Sequence, residues 1–116
     1  MGIEERQLDL EEHMCRYYEM RGQLLPEVRA EMFRLEDVVY KNGVLSSKSK
    51  RLQALAIALA LGCEACIIYQ TRKAVDSGAT KEEVLETSGV LLAIHGTTGW
   101  GEGWRVVKVL EELGMM

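Results

Sequence analysis

The sequence predicts an all-α protein, a helical bundle of about six helices, on three observations. A single proline interrupts 116 residues, no stretch alternates polar with apolar residues long enough to make a strand, and apolar residues recur at three- and four-residue spacing. One domain, residues 1–116, is of ordinary size for this length. The apolar share is 47%, but with one Phe and two Trp the core must be built from Ala, Leu, Ile, Val and Met. Thin aliphatic helices of this kind tend to complete their burial by self-association, so a homo-oligomer is expected.

The first helix carries Ile3, Leu10, Met14 and Tyr17 at helical spacing and is expected to end near Gly22. Pro26 suits the first turn of a second helix, whose Val28, Met32, Leu35 and Val39 form one stripe before Asn42-Gly43 stops it. The serines of Leu45-Ser-Ser-Lys-Ser offer N-cap hydroxyls to a third helix, nearly all Ala, Leu and Ile from Leu52 to Leu61. A helix apolar all round belongs in an interior or a subunit interface. Gly62 breaks it, and Cys63 to Ser77 reads as a fourth helix closed by Gly78. Thr80-Lys-Glu-Glu83 is a capping box that starts a fifth, whose inward face of Val84, Ser88 and Leu91 continues to His95. Glycines at 96, 99, 101 and 103 then make a turn, with Trp100 and Trp104 lining a pocket or a subunit contact. A last helix carries Trp104, Val107, Leu110 and Leu113 and ends at Gly114.

Fourteen basic and eighteen acidic residues give a formal charge of -4, without the basic stripe a phosphate backbone attracts, so a nucleic-acid partner is not expected. The cluster of Lys41, Lys48, Lys50 and Arg51 reads as a solvated helix approach. The chain is charged from Glu4 onward, and its longest apolar run, Ala54 to Leu61, is under half a membrane span. A cytoplasmic protein with no membrane partner is expected.

Three cysteines, an odd number, argue against a secreted disulfide framework; in a reducing compartment a C-x-x-C pair is catalytic or metal-binding more often than structural. Cys63 and Cys66, three apart at a helix start, lie close enough for a disulfide, and the dipole and free N–H groups there favour a thiolate. Glu64 between them opposes that effect, and Arg72 and Lys73 offset it in part. Two other readings stay open: small side chains that merely pack, or a zinc site. The further zinc ligands would have to come from His13, Cys15 and His95, which lie on separate segments. No metal and no cofactor is expected.

The run from Leu45 to Cys66, followed by Ala74-Val-Asp-Ser-Gly-Ala-Thr-Lys-Glu-Glu-Val-Leu-Glu, resembles the carboxymuconolactone decarboxylase / alkylhydroperoxidase D-like family over roughly residues 26 to 95. The resemblance implies an all-α fold, a trimer or hexamer, and, in the C-x-x-C branch, reduction of small peroxides or disulfides with a thiol-redox partner protein. It implies that Cys66 meets the peroxide and Cys63 resolves it. Two family positions are changed. The relay histidine one turn after the second cysteine is Gln70, and the glutamate that orients it aligns with Arg51. If the chain turns back near Ala60 to Gly62, Arg51 and Gln70 face each other, a coupled exchange.

Gln takes no proton at neutral pH and Arg releases none, so general-base activation of Cys66 by that route is lost. Arg51 supplies charge instead. His95 is either a substitute relay or a cap at its helix end. The sequence therefore points first to a thiol-dependent antioxidant oxidoreductase with peroxiredoxin-type activity. Two other functions are kept beside it: a non-enzymatic redox-sensing or binding protein, and a lactone decarboxylase-like enzyme.

Overall fold

The order of elements follows the capping chemistry of the sequence closely. A computed structural model describes residues 5–116, which form six helices and no strand: α1 (Gln7–Leu24), α2 (Pro26–Tyr40), α3 (Ser47–Leu61), α4 (Glu64–Asp76), α5 (Lys81–Trp100) and α6 (Trp104–Glu112). The Ser46 hydroxyl accepts the Ser49 N–H at 3.0 Å to start α3. At α5 the Thr80 oxygen accepts the Glu83 N–H at 3.1 Å while the Glu83 carboxylate accepts the Thr80 N–H at 3.0 Å, the expected capping box. Gly62 at φ 66° and Gly78 at φ 96° close α3 and α4 in the left-handed region.

Helices α3 to α6 enclose the core. Leu55, Ala58 and Leu59 of α3 pack with Ile67 and Ala74 of α4, Val84 and Leu91 of α5, and Val106 and Leu110 of α6. Each large aliphatic among them contributes roughly 1.5–3 kcal/mol by leaving water. The apolar helix α3 is buried on this side only: Ile57 is 61% and Leu61 75% exposed on the other.

Four expectations are corrected. Gly22 does not end α1, which runs to Leu24; it is buried, and a Cβ there would come within 2.5 Å of Arg29 Cδ, so its place is the close approach of α1 to α2. The inward row of α1 is Gln7, Glu11 and Gly22, whereas Tyr17 is exposed; Ile3 and Glu4 lie outside the described residues. On α6 the inward residues are Arg105, Val106, Val109 and Leu110, and Val107 faces out. The glycine stretch after His95 is a kink at Gly96 (φ 67°, ψ −155°), then helical structure to Trp100, and the expected turn is confined to residues 101–103.

The stripe of α2 exists as a pattern without a partner. Val28, Met32, Leu35 and Val39 are all exposed, and no residue of α2 is buried. Its polar residues Glu36 and Tyr40 turn toward α3 and α4 instead.

Candidate functional site

The cysteines sit where Gly62 reverses the chain between α3 and α4. After Gly62 the Cys63 N–H donates to the Ala58 carbonyl at 3.2 Å, which tucks Cys63 against the end of α3. Cys63 is the N-cap of α4, with extended backbone, rather than a residue of its first turn as expected. Its Sγ accepts the Cys66 N–H at 3.3 Å and is bonded to Cys66 Sγ. Cys66 is exposed and Cys63 only half so. Negative charge on Cys63 Sγ is stabilised by the Cys66 N–H and the positive end of the helix.

One turn along α4 the two changed family positions meet as expected. Arg51 Nη1 donates to Gln70 Oε1 at 3.2 Å. Arg51 is only 7% exposed, so it does not belong to the solvated approach that contains Lys48, paired with Glu83 at 2.9 Å, and Lys50, which donates to the Lys41 carbonyl at 2.7 Å. Its guanidinium lies 3.6 Å from the Tyr40 ring centroid, and its Nη2 bonds Glu36 Oε1 at 3.0 Å. Glu36 also accepts a short hydrogen bond from the Tyr69 hydroxyl. The charge Arg51 brings is thus offset by Glu36, a carboxylate from α2.

This cluster sets the protonation of its members. Burial raises the Glu36 carboxyl, but hydrogen bonds from Tyr69 and Arg51, with the charges of Arg51 and Lys73, outweigh it and hold Glu36 below the ordinary carboxylate value. Burial, the bond to Glu36 and that carboxylate's charge push the Tyr69 phenol up to about 12, so it stays protonated at neutral pH. Glu36 and Tyr69 escape the sequence reading. The available signals are a carboxylate inside the apolar pattern of α2 and a tyrosine three residues after Cys66.

On the other side of α4 a second buried arginine was also missed. Arg105, 3% exposed, donates to Glu64 Oε1 at 2.8 Å, to Gln7 Oε1 at 2.7 Å and to Glu102 Oε2 at 2.5 Å. It is Arg105 that offsets the charge of Glu64 between the cysteines. Arg72 is turned toward Glu11 at 2.6 Å and Asp76 at 3.3 Å, and these partners hold its own protonation above the ordinary value against the effect of burial.

The remaining candidates lie apart. His95 is exposed at the kink, with no hydrogen bond to its ring among the described residues, so it neither caps α5 nor reaches the Arg51 cluster. His13 and Cys15 are exposed on α1, and no group of three or more His, Cys, Asp and Glu is placed to hold a metal ion among the described residues. Trp100 and Trp104 line a shallow cavity of about 260 Å³ with Leu85, Ser88, Val106 and Val107. No helix of the described residues is long and apolar enough to cross a membrane.

With this geometry in view the comparison with known proteins is direct. The family model of the carboxymuconolactone decarboxylase family matches residues 26–109, from the start of α2 to near the end of α6. The chain belongs to this family. Its fold is that of a solved carboxymuconolactone decarboxylase family protein from Legionella pneumophila, with a TM-score of 0.87 and 26% identity, covering 92% of this chain and 96% of that one. A Thermotoga maritima member, for which a part in antioxidative response has been suggested, is 34% identical with a TM-score of 0.68 over 74% of this chain and 89% of its own. An uncharacterized Cupriavidus necator protein is 30% identical over 71% of this chain and 69% of its own length. In the family's helical frame, the C-x-x-C pair occupies the turn that α3 and α4 share.

Proposed function

We propose that this family member is a thiol-dependent antioxidant oxidoreductase that cycles Cys63 and Cys66 between dithiol and disulfide while reducing a small peroxide or a partner protein's disulfide. The observation that carries this reading is the bonded pair at the mouth of α4, with Cys66 open to solvent. The suggested antioxidative part of the Thermotoga maritima relative points the same way.

The chemistry balances with these two sulfurs and an external dithiol. The Cys66 thiolate attacks the terminal oxygen of a peroxide; the S–O bond forms, the O–O bond breaks, and the alcohol leaves with a proton. Cys63 then attacks the Cys66 sulfenic acid, joining the sulfurs and releasing water. A partner dithiol resets the pair by attacking exposed Cys66, so that Cys63 departs as a thiolate on the N-cap position best able to hold its charge. The partner becomes the disulfide. A reducing, cytoplasmic setting suits this cycle, and self-association through the exposed stripe of α2 completes the proposal.

The test is mass spectrometry of the reduced protein after mild peroxide. The peptides of Cys63 and Cys66 should join with a loss of about 2 Da, and Cys66→Ser should abolish the product. Thiols that stay unmodified in the wild type would overturn the reading.

A further inference from the structure

Gln70 and Arg51 leave the site without the proton-transfer groups that these positions supply elsewhere in the family. Yet the alkoxide that leaves a peroxide needs an acid, and neither Gln70 nor Arg51 releases a proton at neutral pH. Tyr69 can. It lies three residues after Cys66, one turn along α4, where an i,i+3 pair of side chains are neighbours. It is half-buried, its hydroxyl is held by Glu36, and its ring lies 5.8 Å from the Arg51 guanidinium. Glu36 itself is fixed by Arg51 at 3.0 Å.

We infer that Tyr69 is the general acid of this site, turning its hydroxyl proton away from Glu36 to the oxygen that leaves when Cys66 attacks a peroxide, with Glu36 as the positioning residue that holds the hydroxyl until then. The inference rests on the redox reading above and adds to it the residue that replaces the missing relay. The balance is simple. The Cys66 proton has already gone to solvent, the thiolate takes the terminal oxygen and becomes the sulfenic acid, and the alkoxide takes the Tyr69 proton. The tyrosinate that remains is disfavoured by burial and by the Glu36 carboxylate, an effect the charge of Arg51 offsets only in part, and so recovers its proton from water. Arg51 and Gln70 then form the frame that holds Glu36, and through it Tyr69, beside the cysteine turn.

The experiment compares two reagents on Cys66 in the Cys63→Ser background. Hydrogen peroxide needs a protonated leaving group, whereas a haloacetamide expels halide, which does not. Tyr69→Phe should lower the ratio of the peroxide rate to the alkylation rate roughly 100-fold, the size of a lost general acid. Glu36→Gln, which keeps an acceptor for the hydroxyl, should lower that ratio by roughly tenfold or less and move the Tyr69 titration down toward its ordinary value. Circular dichroism reports whether each variant folds, and the Glu36→Gln arm carries the test should Tyr69→Phe not fold. A Tyr69→Phe ratio equal to wild type, a parallel loss with both reagents, or a larger ratio loss in Glu36→Gln than in Tyr69→Phe overturns the inference alone. A Cys66 that ignores peroxide in the parent protein overturns the redox reading together with it.

Discussion

Arg51 and Arg105 are both buried beside the cysteine helix, one on each side, and each closes a different kind of corner. Arg51 joins α2, α3 and α4 through one carboxylate, one amide and the ring of Tyr40, and its corner contains a phenol. Arg105 joins α1, α4 and α6 through two carboxylates and the amide of Gln7, with the Trp104 ring 4.5 Å away. The first corner includes a group that can give up a proton to the reacting end of α4. The second offers only fixed charges and an amide, so its task is to clamp three helices and to offset Glu64. Burying an arginine is therefore compatible with two ends, proton chemistry and mechanical closure, and the partners decide which.

The largest expected effect tests the clamp. Arg105→Met should cost about 3 kcal/mol, near the low end for a broken buried ion pair, because Glu64 and Glu102 can recover water but Gln7, at 1% exposure, cannot. Arg51→Met should cost less, roughly 1–2 kcal/mol, since the Glu36 side chain is already 31% exposed and the methionine stem keeps its packing on Tyr40. Urea denaturation of both variants gives the order. If Arg51→Met is the more damaging, the division into a chemical corner and a structural one fails.

How far each corner was legible follows from how far apart its residues are in sequence. The pairing of Arg51 with Gln70 could be read because both count nearly equal distances from a turn at Ala60 to Gly62, and a helical hairpin with a single left-handed glycine has little freedom of register. The helix order, the capping box at Thr80 and the stops at Gly62 and Gly78 were legible for the same local reason. Arg105 needed contacts spanning 41 residues to Glu64 and 98 to Gln7, which only the assembled bundle provides. Arg105 also lies outside the row that periodicity assigned on α6, Trp104, Val107, Leu110 and Leu113; the buried row of Arg105, Val106, Val109 and Leu110 shares only Leu110 with it. Glu36 was hidden by the opposite problem: α2 has a clear apolar stripe, but that stripe faces out of the chain and the polar side faces the site. His95 continued an inward row by counting, but α5 is exposed all round from Leu92 to Thr98, and His95 with it.

The dependence of stability on pH probes the chemical corner next. Glu36 has its pKa depressed on folding, so its contribution is present above the ordinary value of 4.5 and is lost as pH falls through the lower folded value. Tyr69 is raised from 10.0 to about 12, so its contribution is intact below 10 and is lost as pH rises between the two. Wild-type protein should therefore lose stability on both limbs, and Tyr69→Phe should flatten the alkaline one between about 10 and 12. Urea midpoints measured across pH check this, and an alkaline limb that survives in Tyr69→Phe would remove Tyr69 from the account.

The smallest effect concerns the one residue that links the clamp to the cysteines. Glu64 has a side chain 44% exposed, so Glu64→Gln should change stability by less than about 1 kcal/mol. Its charge lies between the two sulfurs in sequence and would repel an approaching thiolate, but Arg105 at 2.8 Å offsets it. Reduction of the Cys63–Cys66 bond by a small anionic thiol should then speed up in Glu64→Gln by roughly threefold or less, an effect that salt diminishes. The same substitution made together with Arg105→Met should give a larger gain over Arg105→Met alone, because the carboxylate is no longer neutralised. Equal gains in the two backgrounds would mean that Arg105 closes the bundle without tuning the cysteine turn, and the clamp would be mechanical only.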